Sequence, residues 1–206
     1  MRRALLIVPV TVALLGLAAC GPTATIPSPS PASSESPSAT ASPTPSPAPA
    51  ALVIPECEDL LSLEDARALF SESTEFFGQF PGVEFAGRFE IPEIVTAVTS
   101  ASQSKTCRWG VPNSDGAFSL LVAEITPAER ASLTTALTAA GFATSTAGPA
   151  TSYELERDGM VSTESAVHVF TGDVWILADG TGLALSTPVA ASALDALRAA
   201  NPTLGL

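Results

Sequence analysis

Between Gly21 and Ala50 nearly every residue is Pro, Ser, Ala or Thr, and nine of the chain's eighteen prolines lie there. Ile26 is the only large apolar residue in the stretch. Such a segment cannot bury enough surface to offset the entropy lost on ordering, so a disordered linker is expected. Proline keeps it extended, at about 3.1 Å per residue, which allows a reach of roughly 90 Å. Its Ser, Thr and Pro content also permits O-glycosylation. A folded unit must therefore come from residues 51–206, an ordinary length for one globular domain.

The residues before the linker say what it tethers. Arg2 and Arg3 are followed by an apolar run from Ala4 to Leu17, interrupted by Pro9. That run is shorter than the roughly twenty residues a membrane span needs. A basic start, a short apolar stretch and small residues before a cut point describe a secretory signal. Leu17-Ala18-Ala19-Cys20 resembles a bacterial lipobox, which implies removal of residues 1–19 and acylation of Cys20. An ordinary signal cut near Cys20 and an uncleaved anchor are the alternatives; spacing and the linker favour lipidation. The expected location is the extracytoplasmic side of the cell membrane, with the membrane itself as partner through the Cys20 lipid.

Charge narrows the remaining partners. The chain holds nine Lys/Arg and twenty-one Asp/Glu, and losing Arg2 and Arg3 leaves 7 − 21 = −14. Such a surface repels nucleic acid and anionic head groups, so neither is expected as a main partner. Ten acids fall between Glu56 and Glu93, against Arg67 and Arg88 alone. A solvated face is the plain reading; no Asp-x-Asp-x-Asp-Gly loop supports calcium.

Cys57 and Cys107 remain once Cys20 is set aside, and two cysteines in an exported domain point to one disulfide. Together with the single His168 they make an incomplete metal set, so no metal and no cofactor is expected. The bridge closes a loop of about fifty residues, which the chain-entropy model values at roughly 4 kcal/mol.

Periodicity supplies the elements. Ser62–Phe70 reads as a helix capped by Ser62 with Asp65 three positions on, and Pro92–Ala101 as a weaker one. "TCRWGV" and "AFSLLVAEI" read as strands joined by "PNSDG". A helix then runs from Pro127 to a stop at Gly141, with Thr126 and Glu129 as a capping box. "TSYELER", "STESAVHVF" and "VWILA" complete the strands, the last two joined by a turn at Thr171-Gly172-Asp173. Thr187-Pro188 is expected to open a final helix to about Ala200. The fold class that follows is α+β: an antiparallel sheet of about five strands with helices packed on it and one disulfide. Trp109…Asp115-Gly116…Thr126-Pro127 is echoed by Trp175…Asp179-Gly180…Thr187-Pro188, the pattern an old duplication would leave.

Cys57, "DLLSLEDARAL" and "TCRWG" together resemble a family of actinobacterial lipoproteins described only as a domain of unknown function. The resemblance covers about residues 55–125. It implies no reaction, and no catalytic residues are carried over from it.

Chemistry is sparse. No Gly-x-Ser-x-Gly occurs, and His168 sits in the strand "SAVHVF" on one face with Ala166 and Phe170. Ser102-Gln103-Ser104-Lys105 matches a Ser-x-x-Lys, but it precedes a strand where that chemistry needs a helix. Glu154 and Glu156 share one strand face in a charged stretch. The informative segment is "FSESTEFFGQFPGVEFAGRF", which holds six of the nine phenylalanines. Glycines and Pro81 break its periodicity, so Phe76–Phe89 reads as a loop. Phe76, Phe77, Phe80, Phe85 and Phe89 are the candidate contacts for an unknown apolar ligand or envelope protein, some docked on the sheet and one or two facing a groove. The functional expectation is a non-enzymatic binding or accessory module, with a small extracytoplasmic enzyme or enzyme regulator as the alternative.

Overall fold

Six consecutive buried residues, Phe118 to Ala123, are what a strand shows when both faces of its sheet are covered. The computed structural model describes residues 50–159 and 162–206, and in it that strand lies inside the sheet, paired on both edges. The expected signal, the lipidated Cys20 and the linker through residue 49 lie outside the described residues. The strands are β1 (Glu75–Gln79), β2 (Gln103–Gly110), β3 (Ala117–Glu124), β4 (Ala143–Ala147), β5 (Ala150–Asp158), β6 (Thr163–Thr171) and β7 (Val174–Gly180). They form one sheet in the order β1-β2-β3-β7-β6-β5-β4, antiparallel throughout. The helices are α1 (Cys57–Leu60), α2 (Leu63–Leu69), α3 (Gly82–Ala86), α4 (Pro92–Ser100), α5 (Pro127–Ala139) and α6 (Leu183–Ala200). Among the described residues no helix is long and apolar enough to cross a membrane.

Strand alternation gives the sheet two apolar faces and therefore two cores. Trp109, Phe118, Leu120, Val169 and Ile176 point to one side, where α1, α2 and α6 cover them. Leu121, Ala123, Phe170, Trp175 and Leu177 point to the other, under α3, α4 and α5. The α+β class and its antiparallel sheet stand, but the expected five strands are seven. β4 escapes a hydrophobic pattern because all five of its residues are exposed. β1 escapes because Gly78, at φ 103, shifts the register after Phe76 and breaks the alternation.

Local signals fixed several ends. Ser62 accepts from the Asp65 N–H at 3.0 Å, and Thr126 with Glu129 completes the capping box of α5. The last helix differs from expectation. It starts at Leu183, with Pro188 inside it rather than at its opening. Its start is held by partners remote in sequence: Glu156 accepts from the Leu183 N–H at 2.7 Å and Ser165 from the Gly182 N–H at 3.1 Å. The tryptophan echo also falls apart in space. Asp115-Gly116 lies in the β2–β3 turn, whereas Asp179-Gly180 ends β7, and the two tryptophans sit on opposite faces.

The Cys57–Cys107 disulfide is present, with Cα atoms 5.7 Å apart, and ties α1 to β2 on the α6 side. At the domain's ends, buried Asn201 accepts from the Val53 N–H at 2.7 Å and donates to the Val53 and Leu197 carbonyls, both at 2.8 Å.

Candidate functional site

Register across the sheet brings Leu155, Ala166, Asp179 and Ser119 into one row running through β5, β6, β7 and β3. Alternation along β7 puts Trp175, Leu177 and then Asp179 on the α3–α5 side. A carboxylate thus occupies a place where the two preceding inward residues are apolar. The segment after α3 carries Arg88 and Phe89 over this row, and the turn that follows α5 supplies Ala140 and Phe142. Between them opens a cleft of about 440 Å³. Phe89, Phe142, Leu155 and Ala166 give it an apolar wall; Arg88 and Asp179 give it a charged one.

The charged wall is a small network. Asp179 accepts from the Ser119 N–H at 2.8 Å, and Arg88 Nη2 lies 3.6 Å from its other oxygen. The same Nη2 donates to Ser119 Oγ at 3.1 Å, while the guanidinium lies 4.7 Å from the centre of the Phe85 ring. Burial pushes the Asp179 carboxyl up to about 6, and Arg88 with the Ser119 bonds opposes that rise. A second pair, Arg157 and Glu164 at 3.2 Å, closes the outer rim.

Behind the apolar wall lies His168, wholly buried. Its ring stacks on Trp175 with centroids 5.9 Å apart, and Nδ1 accepts from the indole N–H at 3.2 Å. Acceptance at Nδ1 leaves the imidazole proton on Nε2, which has no hydrogen-bond partner among the described residues. The rings of Phe142 and Phe89 meet it edge-on, at 5.2 and 6.4 Å. Burial pushes its pKa down to about 3, so it is neutral across the physiological range.

The five candidate phenylalanines do not form one surface, and the loop expected for them is a strand and a helix. Phe76 packs against Trp109 at 5.4 Å on the α6 side of the sheet. Phe80, Phe85 and Phe89 belong to the opposite core, with Phe85 fully buried. Phe77, on β1, is largely exposed. Of the five, Phe89 alone lines the cleft. Arg88, Phe142 and Asp179 were missed as site residues. Asp179-Gly180 reads as a turn in sequence, but its inward position is already given by counting in twos from Trp175.

The other sequence candidates have structural partners. Ser102 donates to Glu124 at 2.6 Å and Lys105 pairs with Glu56 at 2.9 Å, so the Ser-x-x-Lys residues serve separate carboxylates. Glu156 caps α6, as described above. Ser165 borders the cleft, but strand alternation turns its hydroxyl to the α6 side, opposite Ala166, where it bonds to buried Ser186 at 2.6 Å and lies 3.2 Å from the Gly180 carbonyl. No protein-family model, curated protein or solved structure matches the chain.

Proposed function

We propose that this chain is a membrane-anchored extracytoplasmic lipoprotein whose domain binds a small amphipathic molecule without transforming it. The cleft carries this reading. Its size suits a small ligand, one wall offers aromatic and aliphatic surface, and a guanidinium–carboxylate pair stands at the other. The nucleophilic and basic side chains nearest it are engaged outside it: the Ser165 hydroxyl with Ser186 on the opposite face of the sheet, and His168, behind the apolar wall, with Trp175. An apolar body would lie along Phe89, Phe142 and Leu155, with a polar end toward Arg88 and Asp179. Anchoring rests on the Leu-Ala-Ala-Cys20 motif and the Pro-rich linker behind it.

Titration with the apolar probe N-phenylnaphthylamine tests the binding half. Saturable fluorescence enhancement is expected, weakened several-fold by Phe89→Ala; a wild-type protein that shows none contradicts the proposal. For the anchor, Cys20→Ser should release the protein from the membrane fraction or leave its precursor uncut. Processing and retention like wild type would contradict lipidation.

A further inference from the structure

The two edges of the sheet are finished differently. β1 carries Glu75 at its start, the Gly78 kink and a register shift, all features that discourage a further strand. β4, at the other edge, has none of these. Ala143-Thr144-Ser145-Thr146-Ala147 contains no charge and no proline, pairs with β5 without a register shift, and is exposed at every position. From Ala131 to Tyr153 the chain has no Asp, Glu, Lys, Arg or His, although its formal charge is −12. The one long uncharged stretch of an acidic domain therefore runs through its open edge, where a second acidic copy meets least repulsion.

The direction of the free backbone groups follows from the turn. Gly148, at φ 61, and Pro149 make a two-residue connection that closes on Ala147 and Ala150. Hydrogen-bonded and non-hydrogen-bonded pairs alternate from such a closing pair. Ala147, Ser145 and Ala143 thus turn their backbone groups to β5, while Thr144 and Thr146 direct N–H and C=O outward. The strand also reads the same in both directions about Ser145.

We propose that this edge pairs antiparallel with the same edge of a second copy, about a two-fold axis at Ser145. Thr144 then faces Thr146 of the second copy, and Thr146 its Thr144: two hydrogen-bonded pairs with two backbone bonds each. Ser145 faces its own counterpart as a non-hydrogen-bonded pair, and every cross-strand contact joins hydroxyl to hydroxyl or alanine to alanine. The chain's own Pro-rich tract is a poor occupant of the edge, because prolines offer no N–H. A five-residue edge is a small interface, so association is concentration-dependent.

Sedimentation equilibrium of the full chain in excess detergent tests this with Ser145→Lys and Ser145→Asp, melts serving as folding controls. Wild type should dimerise, and each variant alone should weaken the dimer on the order of tenfold, because like charges then face each other. An equimolar mixture of the two should restore or exceed wild-type association. Thr144→Pro removes an outward N–H and leaves the β4–β5 ladder whole, so it should weaken the dimer with little change in Tm. A wild type that stays monomeric at every concentration would overturn the proposal, as would a mixture no tighter than its components.

Discussion

The guanidinium of Arg88 stands 3.6 Å from the carboxylate of Asp179, whose other oxygen takes the backbone N–H of Ser119. Even so, burial leaves the Asp179 carboxyl near 6, above its ordinary 3.8. The folded chain therefore holds this proton more tightly than the unfolded chain does. Stability from that source is complete below about pH 4 and is lost as the pH rises through about 6. Asp179→Asn removes the titration. Relative to wild type, it should gain stability between pH 4 and pH 7 by up to about 3 kcal/mol (6 − 3.8, at 1.36 kcal/mol per pH unit). Urea melts at both pH values check it, and an unchanged difference would contradict the assignment.

His168 works in the opposite sense. Its pKa is about 3 in the fold against 6.5 ordinarily, so stability is lost as the pH falls from about 6.5 toward 3. Between about pH 4 and 6 the two groups offset each other, and wild type should be nearly flat there. Asp179→Asn should steepen the acid loss; His168→Leu should give a chain that gains stability as the pH falls across that window. Parallel pH profiles for all three proteins would refute the offset.

Elements with a strong period and a local cap were legible in the sequence: α2, α5, and the β2–β3 and β6–β7 hairpins. Their burial pattern and capping groups lie within a few residues of one another. β4 was illegible because an exposed edge strand of Ala, Ser and Thr has no inward side to mark it. The start of α6 was illegible because Glu156 and Ser165, which hold it, come from strands earlier in the chain. The cleft was half legible. Phe89 stood out by composition, whereas Asp179 was hidden by the turn-like Asp-Gly pair and Arg88 by the acids around it.

The Phe-rich segment should divide when scanned with alanine. Phe85 is fully buried, and its truncation should cost about 3–5 kcal/mol. Phe77 is 46% exposed and should cost less than about 1 kcal/mol. Phe89, partly buried, should fall between the two in thermal melts while weakening probe binding the most. Equal losses at all three positions would make the segment plain core.

Asn201 joins the two ends of the domain through three hydrogen bonds, two of them to Val53. Asn201→Ala leaves the Val53 N–H and C=O unpaired, which should cost about 2 kcal/mol, or about 4–8 °C in Tm. It should also speed proteolysis just before α1. A change of less than about 1 °C would show that the clamp contributes little.

The central claim is a ligand in the cleft between Phe142 and Asp179. Ala140 lines that cleft but is itself exposed, so Ala140→Trp should fill the space without disturbing the core. Native mass spectrometry of the protein released gently from its own envelope tests the claim most directly. The account predicts a bound small molecule at one per chain in wild type, absent or strongly reduced in Ala140→Trp. Wild-type protein that carries nothing, or a bound mass unchanged by Ala140→Trp, would contradict it.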